Sequence, residues 1–259
     1  MSIFIIILVF IIIAAGLARF FITHDHGEKE PVGALWLAFG FGFGGGIAAA
    51  VIEDLFIPVK DLNAAMPLTT ILTASLAIGL IEESCKFIPL SLFLYPKRYF
   101  NEHTDGIIYF AIAGLGFGLP ENILYTIEYG SGTGLNRIFL TPIFHATTTA
   151  LVGYFLIKAK LAHNRKRMRL LLTLLVLIIA MVLHGLYDFG LSTGQTLYAY
   201  GSVVITLSLS VTLFLLYFRA TELDQRLGLS AVGHNKFCRN CGHPNPNHNL
   251  YCAHCGKRA

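Results

Sequence analysis

The sequence predicts an all-α membrane protein of about seven transmembrane helices, followed by a small C-terminal zinc ribbon. Three observations carry this expectation. The 259 residues are 55% hydrophobic and only 13% charged, with a mean hydropathy of +0.65, which is the balance of a multi-spanning chain. Seven apolar stretches of bilayer-crossing length follow one another, at roughly 2–22, 32–52, 68–95, 105–128, 138–158, 170–190 and 197–218. From about residue 221 the composition turns polar, and four of the five cysteines stand there as two Cys-x-x-Cys pairs. The domain organisation read from this is a membrane domain at 1–220, a linker at 221–236 and the ribbon at 237–259.

The first stretch lacks a basic leader and a small-residue cleavage site, so it reads as a retained helix rather than a signal peptide. The second is rich in glycine (Gly40, Gly42, Gly44, Gly45, Gly46), which favours close helix approach rather than a phosphate loop, since nothing charged accompanies it. Pro31, Pro67, Pro96 and Pro142 stand near segment ends, where proline is tolerated. Orientation follows from the basic residues, which cluster at segment ends and report topology rather than nucleic-acid binding. The link 158–169 carries Lys158, Lys160, Arg165, Lys166, Arg167 and Arg169, so it is expected on the cytoplasmic side. Counting outward puts the Glu53-Asp54 link outside and the C-terminus in the cytoplasm. A cytoplasmic tail keeps its thiols reduced and free to bind metal.

Charged groups inside these stretches are costly, at roughly 2.5–3.5 kcal/mol each on insertion scales, and mark function. The third stretch holds Glu82-Glu83-x-x-Lys86. On a helix Glu82 and Lys86 share a face, and Glu83 borders it. Lys86 can neutralise one carboxylate, leaving the other as a candidate general base. Two acids against one base exceed what a structural ion pair requires. The fourth stretch runs from Asp105-Gly106 to Glu121-Asn122, with Phe117, Glu121 and Tyr125 at steps of four on one face, and Pro120 placed to open the helix ladder just before Glu121. The fifth holds His145, which taken alone is equally well a hydrogen-bonded core histidine. The sixth holds His184-x-x-x-Asp188, an i,i+4 pair that can bind a metal jointly or fix an imidazole tautomer.

Two chemistries fit this set. In one, His145, His184 and a carboxylate (Asp188 or Glu121) hold a divalent metal with an open position, and Glu82 or Glu83 is the base. In the other, a glutamate activates water directly and a histidine stabilises the oxyanion. There is no His-Glu-x-x-His motif. For the groups to meet, Glu82 needs to lie toward the outer leaflet, which favours a spanning part at about 75–95 with 67–74 as a re-entrant or interfacial turn.

Taken together, Glu82-Glu83-x-x-Lys86, the Asp105-Gly106 to Glu121-Asn122 block, His145 and His184-x-x-x-Asp188 resemble the PrsW family of intramembrane proteases, itself similar to the CAAX-protease and bacteriocin-processing superfamily. The resemblance spans roughly residues 30–215. It implies an integral protein of a prokaryotic plasma membrane that cleaves membrane-anchored protein substrates, including an anti-sigma factor. It implies an active-site set of Glu82, Glu83, Glu121, His145, His184 and Asp188, to which the charge pairing on the third stretch adds Lys86. Members are commonly named metalloproteases, whereas the related CAAX enzymes have been argued to be metal-free. In the wider superfamily the second block usually carries histidine where this chain has Glu121, so the match is to the PrsW branch.

The tail reads Cys238-x2-Cys241-x10-Cys252-x2-Cys255, both knuckles being followed by glycine. This spacing favours a tetrahedral Zn2+ over disulfides. The ribbon is expected to be structural, with a cytoplasmic protein partner open to it. It lacks a dense basic patch, so no nucleic acid is expected. Two other functions use the same residues. One is a proton-coupled transporter or channel with the buried acids and histidines as a relay, against which the lack of inverted repeats argues mildly. The other is a catalytically silent scaffold.

Overall fold

A computed structural model describes residues 3–23, 29–57, 64–130, 132, 137–162 and 164–226. The expected ribbon, with Cys238, Cys241, Cys252 and Cys255, lies outside the described residues. Within them the chain is all helical: α1 (Ile3–Thr23), α2 (Val32–Phe56), α3 (Leu68–Pro89) with a π-turn at Leu90–Leu94, α4 (His103–Tyr129), α5 (Leu140–Lys160), α6 (Lys166–Ser192) and α7 (Thr196–Arg226). Six of the described helices are long and apolar enough to cross a membrane. The remaining one is α3, whose early Thr and Ser residues and later Glu82, Glu83 and Lys86 dilute its apolar character.

The helices form a bundle around α4. In its most apolar window α4 is 83% buried and α5 78%, against 17% for α1 and 22% for α7. Ile12, Leu55, Ile178 and Leu207 are exposed, as lipid contact requires. The N-terminus of α4 is buried, so its free amides need acceptors. Asp105 Oδ2 accepts from the amides of Asn101 (2.6 Å) and Glu102 (2.7 Å). Asp224 reaches over from α7 to accept from the amides of His103 (2.8 Å) and Thr104 (3.0 Å). Residues 221–226, assigned to the linker from composition, therefore continue α7 and fasten it to the central helix.

Two local features set the height of the acidic pair. Pro89 has no amide to give the Cys85 carbonyl, and just after it the ladder widens, with Tyr95 N bonded to Leu90 O at 3.1 Å. At its other end α3 is helical from Leu68, so 67–74 is not a re-entrant turn. The shift of the span proposed from sequence is unnecessary. Glu82 is the 15th residue of the 27 from Leu68 to Leu94, and His184 the ninth from the C-terminal end of α6, which runs antiparallel to α3. At about 1.5 Å per residue that offset of six residues is about 9 Å, which the side chains span, His184 Nε2 lying 3.2 Å from Glu82 Oε2.

The crossing of α3 and α6 is set by Gly79 and Gly185. A methyl group on Gly79 would lie 2.4 Å from the Met181 carbonyl oxygen, and one on Gly185 2.6 Å from the Leu76 Cα. Only residues without Cβ let the two backbones touch here. Gly185→Ala is expected to cost about 1–3 kcal/mol, read as a lowered thermal midpoint in detergent. An unchanged midpoint would mean that the crossing has slack. The glycines of α2 act likewise: a methyl on Gly42 would lie 1.9 Å from the Ala113 carbonyl oxygen of α4.

Candidate active site

Four helices deliver polar side chains to one buried cluster beside α4. From α3 come Glu82, Glu83 and Lys86, exposed by 4%, 1% and 1%. From α4 comes Glu121, from α5 His145, and from α6 His184 and Asp188. All seven site residues expected from sequence are thus brought together.

Glu83 is the tied carboxylate of the pair. Its Oε1 accepts from Lys86 Nζ at 2.8 Å and faces His184 Nδ1 at 2.8 Å, with Thr148 Oγ1 at 3.4 Å. A carboxylate at Nδ1 fixes the tautomer and leaves the His184 Nε2 lone pair pointing the other way. That nitrogen faces Glu82 Oε2 at 3.2 Å and Asp188 Oδ2 at 3.5 Å. Lys86 Nζ lies 3.4 Å from Glu82 Oε2, 2.9 Å from His145 Nδ1 and 4.1 Å from the centre of the Phe117 ring. Its charge is thus balanced by two carboxylates and an aromatic face, as a buried ammonium needs.

His145 has the same two-sided arrangement. Its Nδ1 looks toward Glu82 Oε2 at 4.0 Å, and its Nε2 lies 2.6 Å from Glu121 Oε2. That last contact is short but poorly aligned, and neither atom has a hydrogen-bond partner. Phe144 packs edge-on against both imidazoles, with centroids 5.9 Å from His145 and 4.9 Å from His184.

Arg137 completes the cluster and was not foreseen. It is buried, ion-paired to Glu121 Oε1, bonded through Nε to Asn122 Oδ1 at 3.2 Å, and lies over the Tyr125 ring at 4.1 Å. Steps of four along α4 thus place Phe117 under Lys86, and Glu121 and Tyr125 under Arg137. The helix continues through Pro120. Glu53 of α2 was also missed. It is buried in the last turn, and its Oε1 has no hydrogen-bond partner.

The cluster opens into a cleft of about 610 Å³ between α2 and α4. Glu82 and Glu121 lie in its wall with Phe43, Ile47 and Leu124. His145, His184 and Asp188 are behind this wall.

The donor set suits a divalent cation. Glu82, His145 and His184 can each offer a ligand atom with all three atoms within 4.8 Å of one another. Asp188 Oδ2 is buried without a hydrogen-bond partner, and Glu121 Oε2 and His145 Nε2 have only their misaligned contact with each other. Buried polar atoms are rarely left so without a ligand or water to satisfy them.

Comparison with known proteins agrees with this chemistry. The family model described as PrsW family intramembrane metalloprotease matches residues 30–218. Protease PrsW of Bacillus subtilis (strain 168) is 33% identical over 189 residues, covering 71% of this chain and 84% of the relative. Protease PrsW of Geobacillus kaustophilus (strain HTA426) is 31% identical over 185 residues, covering 69% and 79%. No solved structure matches the chain. These relatives are proteases, and the transporter alternative finds no support among them. With its apolar helices and its bacterial relatives, the chain is an integral membrane protein that acts on protein substrates. It belongs to the PrsW family of intramembrane metalloproteases.

Proposed function

We propose that the buried cluster is the catalytic centre, and that it hydrolyses peptide bonds of membrane-anchored proteins near the outer face of the bilayer. The observation that carries this is the convergence of Glu82, His145 and His184, with Glu82 in the wall of an apolar cleft. The Lys and Arg bias places the C-terminus in the cytoplasm, and so the cleft end of α2 and α4 outside. A regulator of the anti-sigma factor type is the substrate suggested by the family resemblance. Hydrolysis needs an extended segment, because a helical substrate hides its carbonyls in its own ladder.

In this reading Glu82 is the general base. It lines the cleft, unlike Glu83, and its Oε2 lies 3.4 Å from the Lys86 ammonium and 3.2 Å from His184 Nε2, positioned as a base needs to be. Its Oε2 takes a proton from the attacking water and returns it to the leaving nitrogen. Glu83 is occupied by Lys86 and His184, so it orients rather than reacts. Arg137 holds Glu121 by one oxygen, and Glu121 in turn holds the His145 ring. His145, His184 and Asp188 would hold a divalent cation, with Lys86 competing for His145 Nδ1. Such a cation would polarise the scissile carbonyl and acidify the attacking water. In the tail, Cys238, Cys241, Cys252 and Cys255 would hold a structural Zn2+, and the ribbon would serve as a cytoplasmic docking module.

The test is proteolysis by the purified full chain. Reconstituted in vesicles with a pool of bacterial single-span proteins, it is expected to generate new peptide ends near the outer boundary of their spans. Mass spectrometry that finds no ends beyond those seen with Glu82→Gln would overturn the reading.

A further inference from the structure

The cleft has a charge pattern that the hydrolytic chemistry does not use. Five acidic side chains line it, Glu53, Asp54, Glu82, Glu121 and Glu128, and no basic one does among the described residues. Two of these have their own cations within the protein: Glu82 has Lys86, and Glu121 has Arg137. Glu53 differs. It is only 9% exposed, yet its Oε1 has no hydrogen-bond partner. It also sits in the last turn of α2, where the helix dipole disfavours an anion. A buried carboxylate so placed costs free energy unless it takes up a proton or a cation or donor satisfies it. The rest of the lining is mostly apolar, and Glu53 and Glu82 belong to the same cleft.

We propose that Glu53 is a specificity-determining residue that receives a lysine or arginine side chain of the substrate, close to the scissile bond. The occupant is the extended end of a membrane-spanning segment. Its apolar residues lie along Phe43, Ile47 and Leu124, and its basic residue enters the acidic end of the cleft. Charge complementarity of this kind selects partners, because an acidic residue at the same point would meet like charge. The inference rests on the protease reading only for the cleavage step, not for binding.

The experiment uses two synthetic single-span peptides that differ at one outer-boundary position, Lys in one and Glu in its twin. Binding to the full-length Glu82→Gln protein in lipid nanodiscs is measured by fluorescence, and cleavage of both by the wild-type chain is followed in parallel. The Lys peptide is expected to bind about tenfold tighter than its twin. Glu53→Lys should invert the preference. Glu53→Gln, which keeps the shape, should reduce it to about threefold, and Glu128→Lys at the exposed rim should weaken it. Equal affinities for the twins, or a preference untouched by Glu53→Gln, would overturn the proposal. Selective binding without cleavage would sink the hydrolytic reading and keep this one. Cleavage of both peptides with equal affinity would do the reverse.

Discussion

Replacing Glu82 by glutamine is expected to slow peptide hydrolysis by about 10²–10⁴-fold, the usual contribution of a positioned general base. The fold should survive. Glutamine keeps the shape, and the Lys86 ammonium retains Glu83 at 2.8 Å. Glu83→Gln should behave differently. Glu83 Oε1 faces Lys86, His184 and Thr148 at once. Neutralising it leaves a buried cation with one longer partner and frees the His184 tautomer. Breaking a buried pair in this way costs about 3–5 kcal/mol in soluble proteins, so Glu83→Gln is expected to lower the thermal midpoint in detergent as well as the rate. Rates and midpoints measured side by side separate the two roles. A normal rate in Glu82→Gln would remove Glu82 as the base. Loss of bound metal in the same variant would make it a ligand instead.

Much of this centre was legible because membrane burial makes charge conspicuous. Glu82, Glu83 and Lys86 in an apolar run, and His184 with Asp188 at helical spacing, declare both their location and their shared faces. Which carboxylate reacts was not legible. Glu82 and Glu83 are distinguished by what α5 and α6 bring to each, and that depends on a crossing closed by Gly79 and Gly185. Arg137 escaped because it precedes α5 in a stretch without helical period, where a basic residue passes as a topology marker. A signal existed all the same: it is a cation on the side that the Lys and Arg bias assigns to the exterior. Glu53 escaped because, next to Asp54, it reads as part of a polar link. The clue was an acid in the last turn of a helix, the end that prefers cations. Asp224 gave no clue, since its role as a cap for α4 is purely tertiary.

His184→Ala is expected to remove both the membrane-site metal and proteolysis. Its Nε2 is the nitrogen that faces Glu82 and Asp188 together, at 3.2 and 3.5 Å. Without it, His145 and one carboxylate fall short of the three protein ligands that an open catalytic site uses. The metal count is made on protein lacking residues 237–259, so that zinc in the tail does not contribute. That protein is expected to retain near one divalent ion per chain, and its His184→Ala variant none. The full-length chain should carry one more, lost in Cys238→Ser without effect on the membrane site, whose candidate ligands stand on α5 and α6. Full activity in a verified metal-free preparation would leave Glu82 acting on water directly, with the imidazoles serving as donors to the oxyanion. Loss of the ion in His184→Ala with cleavage intact would force the same conclusion. The metal reading stands on the opposite pattern, in which rate and occupancy fall together and Glu82→Gln lowers the rate alone.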